Sequence, residues 1–154
     1  MLNTRPPVSC LALVLFGMVA SCGSERTVEQ HIIGLISEME IQVEAAERRA
    51  FMAHVAEDFQ GQDGATTRDE LNAMVLFQLN QHRRLQAQLG PITVTSATPG
   101  TADASFHVML TGGGGWIPDT GQVFQVTTHW AGRDGDWKLV TANWQAVDVA
   151  ALLE

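Results

Sequence analysis

The sequence predicts an α+β domain in which helices of the N-terminal half pack on one face of a strongly curved antiparallel sheet of about four strands. Two observations carry this. After Thr27, Val28, Ile32, Leu35, Ile36, Met39, Val43 and Ala46 recur three and four apart, the spacing of one helical stripe. From Val123 to Trp144 apolar and β-branched residues alternate on both sides of Gly132-Arg133-Asp134-Gly135, and Asp-Gly between alternating runs marks a tight hairpin. Helices first and antiparallel strands afterwards give a sheet covered on one face.

Before the first helix the chain reads Met1 to Arg5, an apolar run from Val8 to Ala20, and then Ser21, Cys22, Gly23 and Ser24. The run is shorter than the ~20 residues of a membrane-spanning helix, and a positive start followed by small residues fits an export signal over residues 1–21. Val19-Ala20-Ser21-Cys22 resembles the lipobox of bacterial lipoprotein precursors, in which an aliphatic and two small residues precede the cysteine that becomes the lipidated N-terminus. The resemblance implies lipid attachment at Cys22, a tether over residues 22–26, one domain over residues 27–154 and a cell-envelope address. Gly23 in place of Asp resembles lipoproteins sent to the outer membrane, facing the periplasm. Cys10 is discarded with the signal, so no thiol pair is left for a structural disulfide.

The chain has 17 acidic and 9 basic residues, a net charge of −8, and Arg5 is the only charged residue lost with the signal. A domain this acidic repels phosphates, and no basic cluster exceeds the pairs Arg48-Arg49 and Arg83-Arg84, so nucleic acid is excluded as a partner. The length suits one domain with one core.

In chain order, the first helix carries Glu29, Glu38, Glu40, Glu44 and Glu47 on its outer face. The stripe continues through Ala50, Phe51, Val55 and Phe59, after a bend near Ala45 to Arg49, as a second helix that stops at Gly61-Gln62-Asp63-Gly64. Thr67-Arg68-Asp69-Glu70 has the form of a capping box and opens a third helix to about Leu85, with Leu71, Met74, Val75, Leu79 and His82 on its stripe and Gly90-Pro91 behind it. Strands follow over Ile92 to Ala97 and Ala102 to Leu110, then a Gly-rich loop from Gly112 to Gly121, then the hairpin. With unbroken alternation, Phe124, Val126, Thr128 and Trp130 share a face with Trp137, Leu139, Thr141 and Asn143, and His107 and His129 point the other way.

This order, with Glu57-Asp58-Phe59-Gln60-Gly61 closing the helices and Asp136 to Trp144 ending the strands, resembles the nuclear transport factor 2-like superfamily, the cystatin-like cone that also houses ketosteroid isomerases, scytalone dehydratase and polyketide cyclases. The resemblance covers roughly residues 27–147 and implies fold more than function, because one cone hosts many activities. Many of these domains carry a histidine where this chain has Asn143, which can hydrogen-bond a ligand but carries no proton at neutral pH.

The chemistry-bearing residues are few. Asp58, before Phe59 at the predicted mouth of the cone, and Asp119, beside Trp116, are the carboxylates that could serve as a base if desolvated. Gly112 to Gly115 lead into Trp116-Ile117-Pro118 rather than into a helix, which excludes a phosphate cradle and makes Trp116 a lid candidate. No zinc spacing or nucleophile elbow is present, so no metal or cofactor is expected. Phe106, Trp116, Trp130, Trp137, Thr141 and Asn143 are the candidates for a pocket lining that suits a small apolar ligand. The leading expectation is a non-catalytic, lipid-anchored cone that binds such a ligand or a protein partner. A small lyase, isomerase or cyclase is the alternative, and a structural homodimer pairing through the face of His107, Thr127 and His129 is a third.

Overall fold

The computed structural model describes residues 26–82, 84–113, 120–133 and 135–148. Helix α1 (Val28–Glu44) starts at a capping box: Thr27 Oγ1 accepts from the Gln30 amide while Gln30 Oε1 accepts from the Thr27 amide. Its buried stripe is Ile32, Ile36, Met39 and Gln42. The bend expected near Ala45 is a complete break, with Ala46 in the left-handed region at φ 57, and α2 (Arg48–Ala53) follows.

The second helix does not reach Phe59. Val55–Gly61 is strand β1, and Val55 and Phe59 are buried as expected of a helix stripe, because a spacing of four also keeps two residues on one face of a strand. Strand β1 ends in a turn where Gln62, Asp63 and Gly64 have φ of 50, 54 and 91. After the short β2 (Thr66–Thr67), α3 (Arg68–Gln81) begins at the expected capping box, Thr67 with Glu70. The Thr67 backbone amide, and after it the Thr67 hydroxyl, hold the Glu70 carboxyl below its ordinary value. A carboxyl depressed in the folded state stabilises above its unfolded pKa, and that contribution disappears as pH falls through the folded value. Glu70→Ala is therefore expected to melt below the parent protein at neutral pH, with the gap closing on acidification; melting curves at the two pH values check it.

Helix α3 stops four residues short of the expected Leu85. Arg84–Leu89 is β3, followed by β4 (Thr93–Ala97), β5 (Thr101–Gly113), β6 (Thr120–Arg133) and β7 (Asp136–Val147). The curved sheet has seven strands among the described residues, not about four, in the order β2-β1-β7-β6-β5-β3, with β4 also on β5. It is antiparallel except where β1 lies parallel to β7.

The hairpin forms around the predicted turn, with Arg133 opposite Asp136 and Trp130 opposite Leu139. The next pair is His129 with Thr141, so Val140 is an extra residue in β7. This bulge reverses the alternation beyond it. Ala142 and Trp144 turn to the covered face, and Thr141 and Asn143, expected inside, turn to the other.

Ile32, Ile36 and Met39 of α1, Met52, Val55 and Phe59, and Trp130, Trp137, Leu139 and Ala142 of the hairpin make one core. Two glutamates of α1 are not simply solvated. Glu40 Oε1 accepts from the Leu89 amide at 2.9 Å and Glu44 Oε1 from the Ala87 amide at 3.0 Å, which satisfies the free edge of β3.

Candidate functional site

Between the helices and the covered face of the sheet lies a cavity of about 630 Å³, within the range of small-molecule sites. The alternation of three strands builds its wall: Leu85, Ala87 and Leu89 from β3, Phe106, Val108 and Leu110 from β5, and Phe124 and Val126 from β6. Leu139, Ala142 and Trp144 of β7 close one side, and Ile36, Met39, Val43 and Phe51 cover the top with Met74 and Val75 of α3.

Polar atoms are sparse and unevenly distributed. At the Trp130 end, Trp130 Nε1 donates to Thr128 Oγ1 at 2.9 Å, and Thr128 Oγ1 donates to the Ala104 carbonyl at 3.2 Å. Both donors are occupied by the protein itself, and this end offers a ligand only apolar surface. Glu40, further along, has Oε1 on the Leu89 amide. Gln78, His82 and Gln122 lie at the opposite end. His82 caps α3 in an extended conformation, which turns its ring across β5. A methyl group on Gly112 would collide with the His82 ring at Nδ1, so the ring seats on bare backbone there.

Trp144 is held in the wall from behind. The Gln62 side chain pairs with both its backbone groups, Nε2 to the Trp144 carbonyl at 2.8 Å and Oε1 from the Trp144 amide at 3.1 Å. A methyl on Gly61 would stand 3.1 Å from the indole ring, so any side chain there would press on Trp144. Asn143, facing away from the cavity, clamps the same turn: its Oδ1 accepts from the Asp63 amide at 2.9 Å and its Nδ2 donates to Asp63 Oδ1 at 3.0 Å. These bonds hold three consecutive left-handed residues in place. Asn143→Ala is expected to destabilise by about 1–2 kcal/mol, read as a lower urea midpoint.

Of the residues singled out in the sequence, Phe106 and Trp130 stand in the cavity wall. Trp137 is buried beside Gly132 in the core and does not line the cavity. Thr141 and Asn143 are outside it because of the Val140 bulge. Asp58 is an exposed residue of β1, away from the cavity, because the chain is already a strand there. Asp119, Trp116 and Cys22 lie outside the described residues. His54 is half-buried, its Nε2 3.1 Å from Gln42 Nε2 and 3.8 Å from Glu38 Oε1. His129 Nδ1 is 2.6 Å from Asp103 Oδ1 on the sheet face away from the cavity. The sequence reading missed Gln122, Gln78 and Trp144 as lining. The alternation of β6 places Gln122 on the face of Phe124, which was the available signal.

The sequence matches no protein-family model and no curated protein. Solved structures are similar in fold. A candidate scytalone dehydratase from Novosphingobium aromaticivorans superposes with a TM-score of 0.68 at 16% identity, over 78% of this chain and 84% of its own. A nuclear transport factor 2-like protein of unknown function from Pseudomonas putida gives 0.66 at 18% identity, over 80% and 89%. A protein with a cystatin-like fold from Caulobacter vibrioides gives 0.65 at 16% identity, over 82% and 94%. At these identities the likeness establishes the cystatin-like cone fold.

Proposed function

We propose that this chain is a non-catalytic, lipid-anchored envelope protein whose cone holds a small apolar ligand. The observation that carries the reading is the cavity itself: about 630 Å³ remain open in the domain, walled by aliphatic and aromatic side chains, with the donors at its closed end already paired internally. A cone that served only as a scaffold gains stability by filling such a space with side chains, since each unfilled methylene volume costs packing energy. The anchor rests on the sequence around Cys22.

Native mass spectrometry of the protein, purified without detergent from an exporting bacterial host, tests the first half. A small bound mass released on gentle activation is expected; a protein that is always empty, and that takes up no apolar probe, overturns the reading. Labelling with radioactive palmitate, parent against Cys22→Ala, tests the second half. Label is expected in the parent alone, and equal labelling of the two would sink the anchor.

A second reading, a small lyase, isomerase or cyclase, draws on one observation, the His82 imidazole in the cavity wall. Under that reading His82→Ala abolishes turnover of a ligand identified by the mass spectra, whereas under the binding reading the ligand is recovered chemically unchanged from the parent protein.

A further inference from the structure

We infer that the ligand is an elongated amphiphile, with an apolar body lying along β6 toward Trp130 and a neutral hydrogen-bonding head, such as a hydroxyl, received by His82. The inference rests on the binding reading above and adds the chemistry of what is bound.

Three features of the cavity carry it. The first is length. Gln122 and Trp130 both line the cavity and are eight residues apart on one strand, a contour of roughly 26 Å at the rise of an extended chain. A compact ligand touches one end or the other, whereas an extended one reaches both.

The second is a gradient of polarity that runs with exposure. The Trp130 end is closed, with Trp130 at 1% and Leu139 at 5% exposure, and its polar atoms are spent on one another. At the other end Met74, Gln78 and His82 follow one another at intervals of four, on one face of α3 and its cap, and Met74 lines the cavity while 43% exposed. Among the described residues nothing hydrogen-bonds the His82 ring or the Gln78 side chain, whereas the polar groups deeper in are engaged. Gln122 joins this end from the sheet: Leu110 faces Gln122 on the ladder, one inward pair along from Gly112, on which His82 rests. Its Nε2 donates to the Val123 carbonyl at 3.1 Å, which leaves the amide oxygen to accept. A head group placed here meets an imidazole and two amides, and its tail meets a mostly carbon wall in which Thr128 and Glu40 Oε1 are already bonded to the protein.

The third is charge. Among the described residues the one acidic group in the lining is Glu40, and no lysine or arginine lines the cavity. With a net charge of −8 around it, an anionic head would enter a negative potential with no lysine or arginine among the described lining residues to receive it. A hydroxyl or carbonyl meets no such penalty and can use either ring nitrogen of His82.

The test compares three probes of equal chain length, dodecanol, dodecyl chloride and dodecanoate, by isothermal titration calorimetry on the intact protein. Dodecanol is expected to bind about tenfold more tightly than the chloride, and more tightly than dodecanoate. In His82→Phe, which keeps the ring volume, the alcohol and the chloride are expected to bind alike. Gly112→Ala, which leaves the histidine present but pushes its ring off the seat, is expected to do the same, and circular dichroism confirms that both variants are folded. Equal affinity for alcohol and chloride in the parent, or an alcohol preference that persists in both variants, overturns the inference and leaves the binding reading standing. Preference for dodecanoate overturns the neutral head. Failure of all three probes to bind overturns the amphiphile and counts against the binding reading as well.

Discussion

Trp130→Ala is expected to lower the unfolding free energy by about 3–5 kcal/mol, the largest loss for any truncation in the cavity wall. The indole is 1% exposed, in contact with the core on one side and the cavity on the other. Truncation removes most of its carbon contacts and the bond from Nε1 to Thr128 Oγ1. Because the space it leaves opens into an existing cavity, the surroundings have little to collapse onto, which places the cost toward the upper part of the range. The Thr128 hydroxyl keeps its bond to the Ala104 carbonyl, so no buried donor is stranded and the loss is one of packing. Urea denaturation should show a lower midpoint with an unchanged slope. A domain with the usual marginal stability would retain only a few kcal/mol. Trp130→Phe, which keeps an aromatic ring but not the donor, should lose much less. If Trp130→Ala costs under about 1 kcal/mol, the wall is not close-packed and the cavity end is not a rigid surface.

How much of this could be read from the residues differs from element to element. The hairpin was legible because its turn chemistry and its alternation agree. What lay hidden inside it was one residue. Val140, Thr141 and Ala142 are all compatible with either face, so nothing local marks the bulge between the Trp130 and His129 pairs. The signal was two residues further on. Unbroken alternation buries Asn143 and exposes Trp144, the reverse of what burial free energy favours, and a one-residue insertion before them restores the preference. The same insertion moved Asn143 from the expected pocket to the turn at Asp63.

Strand β3 was missed for a different reason. Arg84-Leu85-Gln86-Ala87-Gln88-Leu89 is made of good helix formers, so propensity extended α3 through it. Its strict alternation of polar and apolar residues pointed to a strand, and Leu85, Ala87 and Leu89 do face one way, into the cavity. Missing β3 also concealed the role of Glu40 and Glu44. Their partners are amides of a strand more than forty residues away, which no helical pattern reveals. The cavity followed suit. Its sheet wall could be anticipated from β5 and β6, whereas the end that carries His82 and Gln78 depends on where α3 stops.

Gly132→Ala is the second large effect, and it tests the part of the sequence that reads most plainly. Both glycines of the turn look like ordinary turn residues, yet the structure requires them for different reasons. Gly135 has φ 86 and open space around its missing side chain, so its requirement is conformational. Asparagine tolerates that region, and Gly135→Asn should cost about 1 kcal/mol or less. Gly132 has no such φ. An added methyl would stand 2.6 Å from the Asp136 carbonyl oxygen and 2.8 Å from both the Trp137 Cα and the Trp137 ring. Two of those contacts are backbone of the partner strand and cannot step aside, and the ring is a buried member of the core. The Gly132 amide also donates to the Gly100 carbonyl at 3.1 Å, tying the end of the hairpin to the turn between β4 and β5. Relief therefore means parting β6 from β7 where the sheet is anchored, and a cost of about 3 kcal/mol or more is expected. Thermal melts of Gly132→Ala and Gly135→Asn measured together give the decisive ordering. If the two glycines prove equally tolerant, Trp137 does not lie against Gly132, and the packing of the hairpin end into the core must be different.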